Sequence, residues 1–163
     1  MDALFSNEHI NELIVCEKVL KSKPKKPVEK NRNLDQRSDV YGKDNDELFR
    51  VFVTQSTQMQ QEFSIGLMYE NHLLIRVNGF HGTTKAGFYT AEHHKYPHAQ
   101  ILTEEDIKSS RELTPSHIED LTGKFSNLSY ALLYFFERCN IINYQGYFDL
   151  PNKNQMSFLD GEW

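Results

Sequence analysis

The chain has 163 residues, 39% of them hydrophobic, with 23 Asp/Glu against 18 Lys/Arg and a formal net charge of −5. That length suits one domain, and no apolar run approaches the roughly 18 residues that a membrane-spanning helix requires, so no membrane partner is expected. No nucleotide-binding loop, zinc-finger spacing or nucleophile elbow is visible, which removes the function classes that carry such signatures.

The first eight residues lack a basic region followed by an apolar one, so no signal peptide is expected and the expected location is cytoplasmic. Ser6 reads as an N-cap, with Glu8 in the first turn. Ile10, Leu13, Ile14 and Leu20 follow helical spacing, and Val15, Cys16 and Val19 widen the apolar face. The spacing predicts a helix from residue 7 to 20 or 21, ended by Pro24 and Pro27. Cys16 and Cys139 read as buried thiols of a reducing compartment. Residues 21–30 read as a Pro/Lys-rich linker. Residues 18–37 carry eight Lys/Arg against two Asp/Glu, a net of +6, while residues 38–163 carry −7. A basic segment on an acidic body is able to grip a phosphate backbone, and Lys23, Lys25 and Lys26 are its candidate binding residues; a solvated linker has the same composition.

Residues 28–39 are polar, with an edge strand as the expectation. A turn cluster spans residues 41–46. Residues 48–53 alternate with apolar side chains on both faces, which predicts a strand in the middle of a sheet or under a helix. Phe63, Ile65, Leu67 and Tyr69 alternate as a strand with one buried face. Glu70-Asn71 is a tight turn into a strand over 73–77, and Asn78-Gly79 ends this three-strand meander. The segment 80–97 reads as a long loop, and long loops are often functional. A short fourth strand follows, with His98 and Gln100 on one side and Ala99 and Ile101 on the other. Thr103 to Asp106 has the form of a capping box opening a short helix over 104–109. Thr114-Pro115 and Gly123 predict a second short helix between them.

Ser126 reads as the cap of a last helix over 127–139, with Leu128, Ala131, Leu132, Phe135, Phe136 and Cys139 on a wide apolar face. The tail 143–163 holds Tyr144, Tyr147, Phe148, Met156, Phe158 and Trp163, too many large apolar groups for a solvated tail. The predicted fold is therefore α+β: an N-terminal helix, an antiparallel sheet of four to five strands, and a long apolar C-terminal helix packed on it.

Asn78-Gly79-Phe80-His81 at a strand end, then Pro97-His98-Ala99-Gln100, resembles a bacterial, mobile-element-associated family with Asn-Gly-Pro-His and Pro-His-x-His motifs. The segment Arg138-Cys139-Asn140-Ile141 is similar to the end of that family's later helix, so the resemblance spans residues 45–142. Phe80 replaces the motif's proline, and Gln100 stands in place of its second histidine. The resemblance implies a small prokaryotic accessory protein, toxin-like, and no particular chemistry.

Two imidazoles facing one cleft are able to serve as general base and general acid near neutral pH. His81 and His98 are the candidate pair for metal-independent cleavage of RNA through its 2′-hydroxyl, with Arg76 or Lys95 to balance phosphorane charge, Tyr96 to stack a base or give a proton, and Asn78 as a binding group. No cofactor is needed for that reaction. A second reading is a non-catalytic interaction protein that binds a partner or a second copy through its aromatic helix and tail. The third is a metal hydrolase liganded by His81, His93, His94 and His98, three of which would suffice for zinc. His9, His72 and His117 read as ordinary surface residues.

Overall fold

The computed structural model describes residues 5–80, 95–112 and 115–150. Eight strands form one antiparallel sheet: β1 (Lys18–Leu20), β2 (Val28–Lys30), β3 (Asn33–Gly42), β4 (Leu48–Ser56), β5 (Phe63–Tyr69), β6 (His72–Asn78), β7 (His98–Ile101) and β8 (His117–Asp120). Their order is β1-β3-β4-β5-β6-β7-β8, with β2 also paired to β3 beyond the end of β1. Three short helices accompany them, α1 (Asn7–Val15), α2 (Glu104–Lys108) and α3 (Leu128–Arg138).

The fold is thus mostly sheet. It corrects the expectation of four to five strands under a long helix: there are eight strands, and α3 has 11 residues. Three local departures account for the difference. The first helix stops at Val15, because Cys16 is already extended (φ −62°, ψ 147°), and Lys18 begins a strand. Residues 28–42 form a hairpin, turned through Asn31 and Arg32 at positive φ (52° and 66°), as a two-residue type I′ turn demands. The predicted helix after Pro115 is instead β8, paired to β7 from His98↔Asp120 to Ile101↔His117. Asp120 accepts from the Thr122 amide at 2.9 Å and hydroxyl at 2.6 Å, which turns the chain out of the sheet before Gly123.

The meander β4-β5-β6 follows its alternation. Phe49, Val51, Ile65, Leu67, Ile75 and Val77 are all buried on one face of the sheet. That face is covered by α3, whose Tyr130, Ala131, Leu133, Phe135 and Phe136 are buried, and by α1 through Ile10, Leu13 and Ile14. The cap of α3 is Asn127 rather than Ser126; its side chain accepts from the Tyr130 amide. The helix ends with Asn140 at φ 57°, the Phe136 carbonyl taking the Ile141 amide at 2.8 Å and the Glu137 carbonyl taking that of Asn140 at 3.2 Å. The capping box of α2 forms as predicted between Thr103 and Asp106.

One lysine joins the two longer helices. Lys18 is wholly buried, and its ammonium donates to the carbonyls of Ile14 (2.7 Å) and Cys16 (2.9 Å) at the end of α1 and of Cys139 (2.8 Å) at the end of α3. The Phe49 ring lies 4.9 Å below it. Burial lowers its pKa, and the nearby Cys139 and Cys16 thiols pull weakly the other way. Those carbonyls are the orphan acceptors that helix ends leave behind, so this cation both terminates α1 and fixes it to α3.

Candidate functional site

The register places two cross-strand rows on the sheet face turned away from α1 and α3. The first runs Asp35, Thr54, Ser64, Asn78, His98, Asp120 from β3 to β8. The second runs Arg37, Phe52, Gly66, Arg76, Gln100, Ile118. The candidate residues Asn78, Arg76 and His98 thus come together on β6 and β7 because side chains two apart on a strand share a face.

They form a connected set of hydrogen bonds. The Ser64 hydroxyl donates to Asn78 Oδ1 at 2.6 Å, and Asn78 Nδ2 donates to His98 Nε2 at 3.2 Å. His98 Nδ1 lies 2.9 Å from the Tyr96 carbonyl, which only accepts, so Nδ1 carries the proton and Nε2 is the acceptor. Arg76 Nη2 donates to Gln100 Oε1 at 2.7 Å, an oxygen that Asn78 Nδ2 also approaches at 3.4 Å. Asn78 and His98 are wholly buried and Gln100 nearly so. His98 thus ties the Tyr96 backbone to Asn78.

Arg76 is the unusual member. Its Nε is buried and has no hydrogen-bond partner among the described residues. Burial lowers its pKa, and among the described residues no carboxylate pairs with it. The Tyr96 ring stands edge-on to His98 at 6.1 Å, half-buried, and Lys95 is exposed. His81, His93 and His94 lie outside the described residues, and so does every contact between His81 and His98. Among the described residues, no group of three or more His, Cys, Asp or Glu is placed to hold a metal ion.

The basic segment occupies one edge of the sheet. Residues 21–27 run beside β3, the Lys25 amide donating to the Arg37 carbonyl at 2.9 Å and Gln36 Nε2 to the Lys25 carbonyl at 3.1 Å. Lys21, Lys23, Lys25, Lys26, Lys30, Arg32 and Arg37 are all exposed, and Lys18 alone of the eight cations is withdrawn. Lys21 pairs with Asp46, and Arg37 with Asp35 at 3.5 Å.

The aromatic helix is spent differently from the interaction reading. Phe136 stacks on Tyr144 at 5.3 Å and packs on Phe148 at 4.9 Å, so the start of the tail and the sheet cover the apolar face of α3. Met156, Phe158 and Trp163 lie outside the described residues. None of the described helices is long and apolar enough to cross a membrane.

Two side chains were invisible as candidates. His72 pairs with Glu112 and lies against the Phe5 ring (4.2 Å between centroids), half-buried rather than a free surface group; forty residues separate the pair, and no local pattern marks it. Phe52 reads as one face of a two-faced apolar strand and lies so, on the face of β4 opposite Phe49, Val51 and Val53 and away from the helices. No protein-family model matches the chain, and no curated protein or solved structure matches it.

Proposed function

We propose that this protein binds RNA along the basic sheet edge formed by residues 21–37. The observation that carries the reading is the exposure of seven cations on one edge strip, Lys23, Lys25, Lys26 and Lys30 among them, against a remainder that is net acidic. Cations spaced along an extended chain neutralise successive phosphates and release their counterions, which supplies most of the affinity of non-specific nucleic-acid binding. The acidic remainder repels the same phosphates and confines them to the edge. Binding requires no rearrangement, whereas proton transfer by His98 would require its ring to leave Asn78 and Tyr96; the reading is therefore of a binding protein that leaves RNA intact.

The test is fluorescence anisotropy of a labelled 12-nucleotide RNA from about 50 to 200 mM salt. The expected result is binding whose salt slope falls by about 2 in the K23A/K25A/K26A variant, three phosphate contacts at roughly 0.7 each, with the RNA recovered uncut. Salt-independent binding, or none, overturns the reading, and cut RNA returns the question to the histidines.

A further inference from the structure

We propose that Phe52 is a base-stacking platform, and that the RNA taken by this protein is single-stranded. The inference rests on the RNA-binding reading and adds a site at the half-buried Phe52, on the sheet face turned away from α1 and α3 and beside the basic edge.

Phe52 sits on the face away from the hydrophobic core, opposite its strand neighbours Val51 and Val53, which are buried. Its ring does not stand clear of the sheet. It lies over Gly66 on the adjacent strand, so closely that a Cβ at position 66 would fall 2.2 Å from Phe52 Cε1 and 2.4 Å from Cζ. The absence of a side chain at 66 makes the seat in which the ring rests. Every base has a π-face, so an aromatic ring laid along a sheet captures an unpaired base whatever its identity. A duplex keeps its bases stacked inside and has none to offer.

The flanks of the ring suit the rest of a nucleotide. In its own row it lies between Arg37 on β3 and Arg76 on β6, three strand spacings apart, about 14 Å. Arg50, two residues earlier on β4, shares the face and is exposed. The carboxylates that meet these cations do so weakly: Asp35 to Arg37 at 3.5 Å and Asp39 to Arg50 at 4.0 Å, in exposed pairs that a phosphate is able to displace. Farther along β4 and β5 a cleft of about 420 Å³ opens, lined by Arg50, Met68 and Tyr69, with Glu47 and Glu70 turning phosphates away from its rim. Arg37 also belongs to the basic edge, so a strand held there reaches Phe52 by crossing one β-strand.

The experiment compares a 12-nucleotide uridine strand with an RNA duplex of equal length, for the wild type, F52L, F52W and K23A/K25A/K26A. F52L keeps an apolar group over Gly66. The expected result is single-strand binding weakened about 5- to 150-fold in F52L, the range that loss of one stacked base produces, with the weaker duplex binding unchanged. F52W is expected to retain single-strand affinity and to show fluorescence quenching beyond the wild type's, with the single strand and not with the duplex. Wild-type affinity in F52L, or a wild type that prefers duplex, overturns the platform. If the triple-lysine variant alone loses binding, the basic edge survives without the platform. If the wild type binds neither RNA, both readings fall together. Should F52L fail to fold, the F52W quenching decides.

Discussion

Lys18 and Arg76 are both cations drawn away from water, on opposite faces of the same sheet, and the protein treats them differently. Lys18 has three carbonyl acceptors between 2.7 and 2.9 Å and an aromatic ring beneath it. Arg76 has, among the described residues, one bond, to Gln100, and a buried Nε with no acceptor. Removing water from a charge is costly unless hydrogen bonds replace it. The helix side repays that cost in full within its own backbone, and the opposite side does not. A cation whose bonds are complete belongs to the architecture. One left with a bare donor, on the face that carries Phe52, is not accounted for by the architecture alone.

The largest effect follows from Lys18→Met. It leaves three helix-end carbonyls buried without donors, and unfolding in urea is expected to show a loss of about 3 kcal/mol or more. A loss below about 1 kcal/mol would mean that water replaces the ammonium and would erase the contrast with Arg76. Arg76→Met comes next and is the opposite case. It discards an incompletely bonded guanidinium for an apolar chain, so stability is expected to change by less than about 1 kcal/mol, while RNA affinity falls. A large destabilisation would make Arg76 as architectural as Lys18.

The smallest effect concerns acid. Arg138, bonded to Glu119 through Nη1 at 2.8 Å and Nη2 at 2.7 Å, holds that carboxyl below its usual range. Burial pushes Asp106 up, but bonds from Thr103 and Ser116 bring it net below the usual value. A carboxylate with a depressed folded-state pKa contributes stability that is present above the unfolded value, about 4.3 for Glu, and lost as pH falls through the folded one. Thermal melts from pH 6 to 2.5 are expected to fall for the wild type and to fall less steeply for E119Q. Equal slopes would assign the acid sensitivity to Asp106 and other carboxylates.

Much of the sheet was legible because its core face alternates cleanly: Phe63, Ile65 and Leu67 on β5 and the short β7 emerge from period alone. The elements that were not legible are those decided from a distance. Val15, Cys16, Val19 and Leu20 continue a helical stripe as well as they begin a strand, and what stops α1 is Lys18 closing over carbonyls from both ends of the chain. β8 has four residues at a sheet edge and no period to show, while the Pro115 and Gly123 around it imitate helix signals. The β2–β3 hairpin turns at Asn31-Arg32 without a glycine and buries only Ser38, Val40 and Gly42, so its polarity concealed it. At the site, Arg76, Asn78 and His98 were named from their place around one loop. Phe52 was missed because nothing along its own strand says which face the helices will cover; the answer lies in Gly66, fourteen positions away.

The joining of α1 to α3 has a consequence for how the chain is made. Lys18 reaches Cys139, Asn140 reaches Val15, and Asn143 exchanges bonds with Leu20 across 123 positions. A ribosome adds roughly 5–20 residues per second, so residues 14–20 leave it some 6 to 24 s, by that rate, before their partners exist. For that interval the Lys18 ammonium has the Ile14 and Cys16 carbonyls within reach but not that of Cys139, and Asn140 and Asn143 are not yet there to hold Val15 and Leu20. The newborn segment is expected to sample the longer helix that its local pattern favours, and to surrender its last turn only when the far end of the chain arrives.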